Sequence, residues 1–199
     1  MKAEDAADMM DQEKAQNRFK QRAAISIAIL AMLLAITGLG GQNATKEALN
    51  QNILASNFYS FFQAKNMRQT AYVLAANEIE SAWLRAQPMP DDVKAGLQQR
   101  LDAYRKTVAR YESELDTNEG KKELLARARE HEAKRDHALK QDPYFDYAEA
   151  LLQIGIVLIS VSIVAELAWL AFVGGAFGCV ATLLMINGFS LLVAIPGLG

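Results

Sequence analysis

His131-Glu132-Ala133-Lys134-Arg135 comes within one residue of the metalloprotease helix in which two His one turn apart hold zinc and the Glu acts as base. The second ligand position is Arg135, and His137, six residues on from His131, falls on a different helical face. Gly38-Leu39-Gly40-Gly41 has the glycines of part of a phosphate loop, yet no strand precedes it and no Lys-Ser/Thr follows. No Ser or Cys stands in a nucleophile turn. The single cysteine, Cys179, lies in an apolar run, where it reads as a small buried residue, and one cysteine allows no intrachain disulfide. We therefore expect no catalytic residues, no metal, no cofactor and no enzyme activity. The net charge of −2, with bases and acids interleaved, gives no nucleic-acid surface.

The side chains left with chemical interest are polar groups in apolar surroundings. Ala23 to Gly41 and Ala150 to Ala165 hold no charge, and after Glu166 nothing is charged through Gly199. About 20 apolar residues cross a bilayer as a helix. Three spans are expected, over Ala23–Leu39, Tyr147–Phe172 and Phe177–Ile195, which leaves residues 173–176 between the last two. The chain then divides into a tail (1–22), a first span (23–41), an extramembrane helical domain (42–142), a second span (143–172), and a third span with a short carboxyl terminus (173–199). A cleaved signal peptide is the alternative for the first run, but its 22-residue leading tail and long apolar stretch favour an uncleaved anchor. Arg18, Lys20 and Arg22 precede the first span, so the positive-inside rule puts the amino terminus in the cytoplasm and the charged middle region outside.

On this frame Glu166 falls about 28 Å along the second span, one turn before Trp169 at the cytoplasmic interface. Either it pairs with Lys20 or Arg22 by snorkelling, or it marks an ion path. Asn187 offers the same choice between interhelical hydrogen bonding and pore lining. Glu166 and Asn187, with Arg22 and Lys20, thus form the candidate intramembrane polar site. Tyr144, Phe145 and Tyr147 read as anchors at the outer interface, with Trp169 at the inner one. Gly174, Gly178 and Thr182 provide small-residue spacing for close helix packing, within one chain or between chains.

The charged middle region reads as helix. From Asn43 or Thr45, expected to cap a new helix after the glycines, to Gln87 there is no Pro or Gly. Pro88-Met89-Pro90-Asp91-Asp92 ends that helix and starts another. In the second, Val93, Leu97, Leu101, Tyr104, Val108, Tyr111 and Leu115 recur at heptad spacing, as in a coiled-coil seam. A third helix is expected from Lys121 to Gln141, with Asp142-Pro143 capping the next span. The lengths suit an antiparallel hairpin projecting ~60–70 Å, with a compact three-helix bundle as the alternative. Phe58, Phe61 and Phe62 would lie on an exposed edge belonging to a partner subunit.

The segments Phe61–Thr70 (FFQAKNMRQT), Glu119–Glu130 (EGKKELLARARE) and Asp142–Gln153 (DPYFDYAEALLQ) resemble the DUF4337 family of small bacterial membrane proteins, and the similarity runs from about Ala23 to Val193. The resemblance implies a bacterial inner membrane, with the helical domain periplasmic, and assigns no activity and no catalytic residue. The expected protein is an all-α, homo-oligomeric membrane scaffold or interaction module, in contact with the lipid bilayer and with an unidentified protein partner. A channel or transport component and an envelope sensor with a cytoplasmic partner are the alternatives.

Overall fold

A computed structural model describes residues 3–85 and 88–196, apart from the side chains of residues 3–9 and 11. Gln87, the expected end of the outgoing helix, and residues 197–199 lie outside the described residues. Among the described residues the chain is all-helical, with four helices and no strand: α1 (Ala3–Arg85), α2 (Asp91–Glu112), α3 (Lys121–Ala165) and α4 (Ala168–Ser190). Three of them, α1, α3 and α4, are long and apolar enough to cross a membrane. The chain forms two compact units, unit 1 of Met1–Ala48 with Asp136–Gly199, and unit 2 of Leu49–Arg135.

Several boundaries differ from those expected, each for a physical reason. The glycines after the first span do not break the helix, and Asn43 and Thr45 cap nothing, because α1 continues through them. A Gly inside a helix costs about 1 kcal/mol relative to Ala. Here it makes room for a ring: a Cβ on Gly40 would lie 2.6 Å from Phe145, and one on Gly41 3.3 Å. Pro143 does not open a helix either, since it lies inside α3. Its missing N–H leaves one carbonyl a turn earlier without its usual helical partner, a defect that the continuous helix on both sides absorbs.

The turn between the last two apolar helices is at Glu166 and Leu167, not at residues 173–176. Residues 147 to 165 already supply about 28 Å of helix, enough to cross hydrocarbon. Glu166 is the residue of that stretch best suited to a solvated turn, and it takes left-handed backbone at φ 56. Gly174, Gly175 and Ala176 are helical instead, within α4.

Unit 1 is built on a seven-residue recurrence in α3: Ala138, Phe145, Leu152 and Ile159, all buried. Leu30, Ala148, Ala181 and Met185 close around Phe145, Leu152 and Ile159. Here α3 and α4 approach to backbone contact, since a Cβ on Gly174 would lie 2.7 Å from the Gly155 carbonyl oxygen. The Leu30 side chain fills the space that a Cβ on Gly178 would occupy.

In unit 2, α2 starts after Pro90, with Asp91 and Asp92 in its first turn, where carboxylates complement the helix dipole. It ends at Ser113 in extended backbone. Leu101 is 4% exposed, and Leu124 and Ala128 of α3 and Ala55 and Ala76 of α1 are buried with it. Leu97, Tyr104, Val108 and Tyr111 are half-buried. The ends of the expected seam do not pack: Val93 is exposed, and Leu115 lies beyond the helix and is 75% exposed.

Candidate functional site

The polar residues singled out in unit 1 separate into two unconnected arrangements. At the α3–α4 turn, the Leu167 amide donates to the Ser162 carbonyl at 3.2 Å and the Leu170 amide to the Leu167 carbonyl at 3.1 Å. The Glu166 carboxylate accepts a hydrogen bond from Gln16 and pairs with Lys20 at 3.6 Å. Arg22 is not the partner. Its side chain is exposed, and its carbonyl accepts from Ser26 at 3.0 Å. Trp169 is exposed in the first turn of α4, so it begins the third apolar helix instead of ending the second.

Asn187 is far from this in role. Its amide donates to the Val193 carbonyl at 2.8 Å, and its carbonyl accepts from the Val193 amide at 2.9 Å. It fastens the chain that follows its own helix, and its side-chain hydrogen bonds go to Val193 and not to another helix. Leu191 takes left-handed backbone at φ 47, with its amide bonded to the Asn187 carbonyl. The Tyr144 hydroxyl completes the fastening, donating to the Val193 carbonyl at 3.2 Å and accepting from the Ile195 amide at 3.1 Å. Tyr144 and Phe145 are each 2% exposed, so neither is an interfacial anchor. Phe145 meets Phe189 edge to face, with 4.8 Å between ring centroids. Tyr147, by contrast, is exposed, as an anchor requires.

Gly174 and Gly178 make their contacts inside the chain, against α3 and Leu30, and the Thr182 hydroxyl donates to the Gly178 carbonyl at 2.7 Å. The buried hydroxyls of Thr37 and Ser162 are bonded to helix carbonyls as well. Among the described residues every buried side-chain nitrogen and oxygen has a hydrogen-bond partner.

Asp142, Asp146 and Glu149 line a recess of about 500 Å³ with Gly38, Gly41, Thr45 and Lys46. The Thr45 hydroxyl lies 2.8 Å from an Asp142 oxygen and 3.0 Å from the Gly41 carbonyl, and its one proton serves either. Among the described residues no group of three or more His, Cys, Asp or Glu is arranged to hold a metal ion.

Unit 2 holds the densest polar geometry, and sequence reasoning missed its centre. Gln69 of α1 donates to the Val108 carbonyl at 3.0 Å and to Glu112 at 3.1 Å, both on α2, and accepts from Lys121 of α3 at 2.7 Å. Lys121 also pairs with Glu112 at 3.3 Å. Hydrogen bonds from Gln69 and Lys121 hold the Glu112 carboxyl below its ordinary range. A hydrogen bond from Ser113 does the same for Glu123, while bonding to the Glu132 carboxylate raises the Tyr59 hydroxyl. Lys65 pairs with Glu114 at 3.5 Å and Glu119 at 3.6 Å. His131 lies 2.5 Å from Gln51 and stacks on Phe58 at 5.3 Å.

Phe58 and Phe62 are therefore half-buried within the unit and not on an outer edge, while Phe61 is exposed. The signal for this face was present in α1. Gln51, Phe58, Lys65 and Tyr72 recur every seven residues, as do Ala55, Phe62, Gln69 and Ala76. Three polar side chains at those positions concealed it.

The family model described as a domain of unknown function, DUF4337, matches residues 19–191. The chain belongs to the DUF4337 family. Its match begins one residue before Lys20 and ends at Leu191, so the Glu166 turn, the glycine contacts and all of unit 2 lie inside the DUF4337 region. No curated protein and no solved structure matches the chain.

Proposed function

We propose that this DUF4337 protein is integral to a membrane, and that it carries unit 2 outside the bilayer as a coiled-coil-like helical hairpin on which copies of the chain assemble. In this reading it is a scaffold or interaction module. The observation that carries the membrane placement is the polarity of unit 1. Val164, Phe172 and Leu183 are outward-facing and exposed, so the bundle is apolar on the outside as well as in its core. A helix that is apolar all round belongs in a large core or in lipid. The glycine contacts support the same placement, because helices in hydrocarbon gain little from apolar burial and associate through close packing.

Arg18, Lys20 and Arg22 orient the protein with its amino terminus in the cytoplasm, and unit 2 is then periplasmic in a bacterial inner membrane. The Lys20–Glu166 pair suits that assignment, since the first span's basic flank and the α3–α4 turn come together. A conduction role gains no support from these residues, because Asn187 is engaged by Val193 and Glu166 sits at a helix end.

Static light scattering of the intact protein in lipid nanodiscs tests self-assembly. The expected mass is a multiple of the chain mass, and a monomer overturns self-assembly while leaving the membrane placement standing.

A further inference from the structure

In unit 2 the charges are distributed very unevenly. Of the 22 residues of α2, nine are charged, and so are nine of the fifteen from Lys121 to Arg135. Between Leu49 and Asn77 of α1 the only charges are Lys65 and Arg68, and Lys65 is turned inward to Glu114 and Glu119. The outward face of this part of α1 therefore has one charged side chain over about eight helical turns. It is also patterned. Ile53, Ser60, Met67 and Leu74 recur every seven residues, with Ala64 and Ala71 between the last three, and all six are exposed. Met67 is 73% exposed and Leu74 63%. The inner seam of the same helix, through Phe58, Lys65 and Tyr72, is already packed within the chain.

We propose that this outer seam of α1 is where a second copy of the chain docks, helix to helix and in parallel. The inference rests on the self-assembly proposed above and names its surface. A seven-residue recurrence of apolar and small side chains is the pattern that seats knobs into holes. Small residues at 60, 64 and 71 allow close approach, and the large ones supply apolar area.

The occupant follows from charge. In a parallel symmetric pair the seam residues meet their own counterparts and each flank meets the partner's other flank, so a face of one charge would oppose itself. Heteromeric partners are commonly selected by complementary Glu and Lys beside the seam. Here the flanking positions are Ser56, Gln63, Thr70 and Asn77 on one side and Leu54, Phe61, Arg68 and Ala75 on the other. In a parallel pair Gln63 then comes beside the partner's Arg68, an amide oxygen that can accept from the cation, and no two like charges oppose. The face is suited to itself. The parallel direction follows from anchoring both copies in one bilayer. The two charge-rich elements, α2 and the Lys121–Arg135 part of α3, lack such a face and remain in water.

The test uses the full-length protein in membranes, with Cys179→Ser so that each variant has one thiol. Met67→Cys and Leu74→Cys are compared with Gln99→Cys on the exposed side of α2 under mild oxidation. Disulfide geometry requires Cα atoms within about 7 Å, so the first two are expected to move to the dimer band and Gln99→Cys to stay monomeric. In parallel, Met67→Lys with Leu74→Lys is expected to abolish the oligomer peak while the circular-dichroism helix signal is kept. An oligomer that persists in the double-lysine variant, without cross-linking at 67 or 74, overturns this surface but leaves self-assembly by another face. Equal cross-linking at Gln99 also overturns it. A monomeric wild type removes both proposals together.

Discussion

Units 1 and 2 solve helix packing in opposite ways. In unit 1 the helices meet through glycine: Gly155 against Gly174, Leu30 against Gly178, and the Phe145 ring against Gly40 and Gly41. Its hydroxyls turn back to their own helix carbonyls. In unit 2 few side chains are fully buried, and the contacts are half-buried rings, ion pairs and the Gln69 node. On the proposed placement of unit 1 in a membrane, the difference teaches what each unit's surroundings supply. In water, covering rings and aliphatic stems is itself stabilising, so a loose polar seam suffices. In hydrocarbon that drive is absent, and backbone proximity has to replace it.

The two tryptophans, Trp83 and Trp169, fall one in each unit, so single-tryptophan variants read the two melts separately. The largest effect is expected at Leu101 in unit 2. Leu101→Asp places a carboxylate at a 4% exposed site and should cost about 3–4 kcal/mol, lowering the Trp83 melt. An unchanged Trp83 melt would show that apolar burial does not hold unit 2.

Next is Gly174→Ala, where the new Cβ meets the Gly155 carbonyl oxygen, a backbone atom that cannot swing aside. Overpacking of this kind should cost about 2–3 kcal/mol and lower the Trp169 melt while the Trp83 melt stays put. If both melts fall together, the units do not pack independently and the contrast fails. Gln69→Ala removes the hydrogen bonds to Val108, Glu112 and Lys121, and should cost about 1–2 kcal/mol in the Trp83 melt alone.

The smallest effect is on pH. The Glu112 carboxyl is held below its ordinary value in the folded protein, so its contribution is complete above the unfolded value and is lost as pH falls through the folded one. Acid titration of the Trp83 melt below about pH 4.5 should show a shallower loss in Glu112→Gln than in wild type. Equal slopes would remove Glu112 from the account.

Much of this contrast was legible in the sequence. The uncharged runs mark the three apolar helices, and the heptad spacing of Leu97, Leu101, Tyr104 and Val108 marks the inward face of α2. What misled was residue chemistry whose meaning depends on its neighbour. Glycines at 38, 40 and 41 read as a loosened end of the first span, because the Phe145 ring that fits against Gly40 and Gly41 comes from another helix. Asp142-Pro143 read as a helix start, yet it lies inside α3. Asn187 read as a membrane polar site, but its partner is six residues along its own chain. The inner face of α1 was hidden by Gln51, Lys65 and Gln69, polar residues whose partners sit on α2, on α3 and on the segment that joins them.

The central claim is that unit 1 lies in lipid and unit 2 in water, and accessibility tests it most directly. In a Cys179→Ser background, Gln99→Cys and Leu183→Cys both place a thiol at an exposed position of the folded chain. A water-soluble maleimide that cannot cross membranes is applied to intact spheroplasts, and again after detergent is added. The account predicts that Gln99→Cys is labelled in both conditions and that Leu183→Cys is labelled only in detergent. Equal labelling of Leu183→Cys and Gln99→Cys before detergent would contradict it.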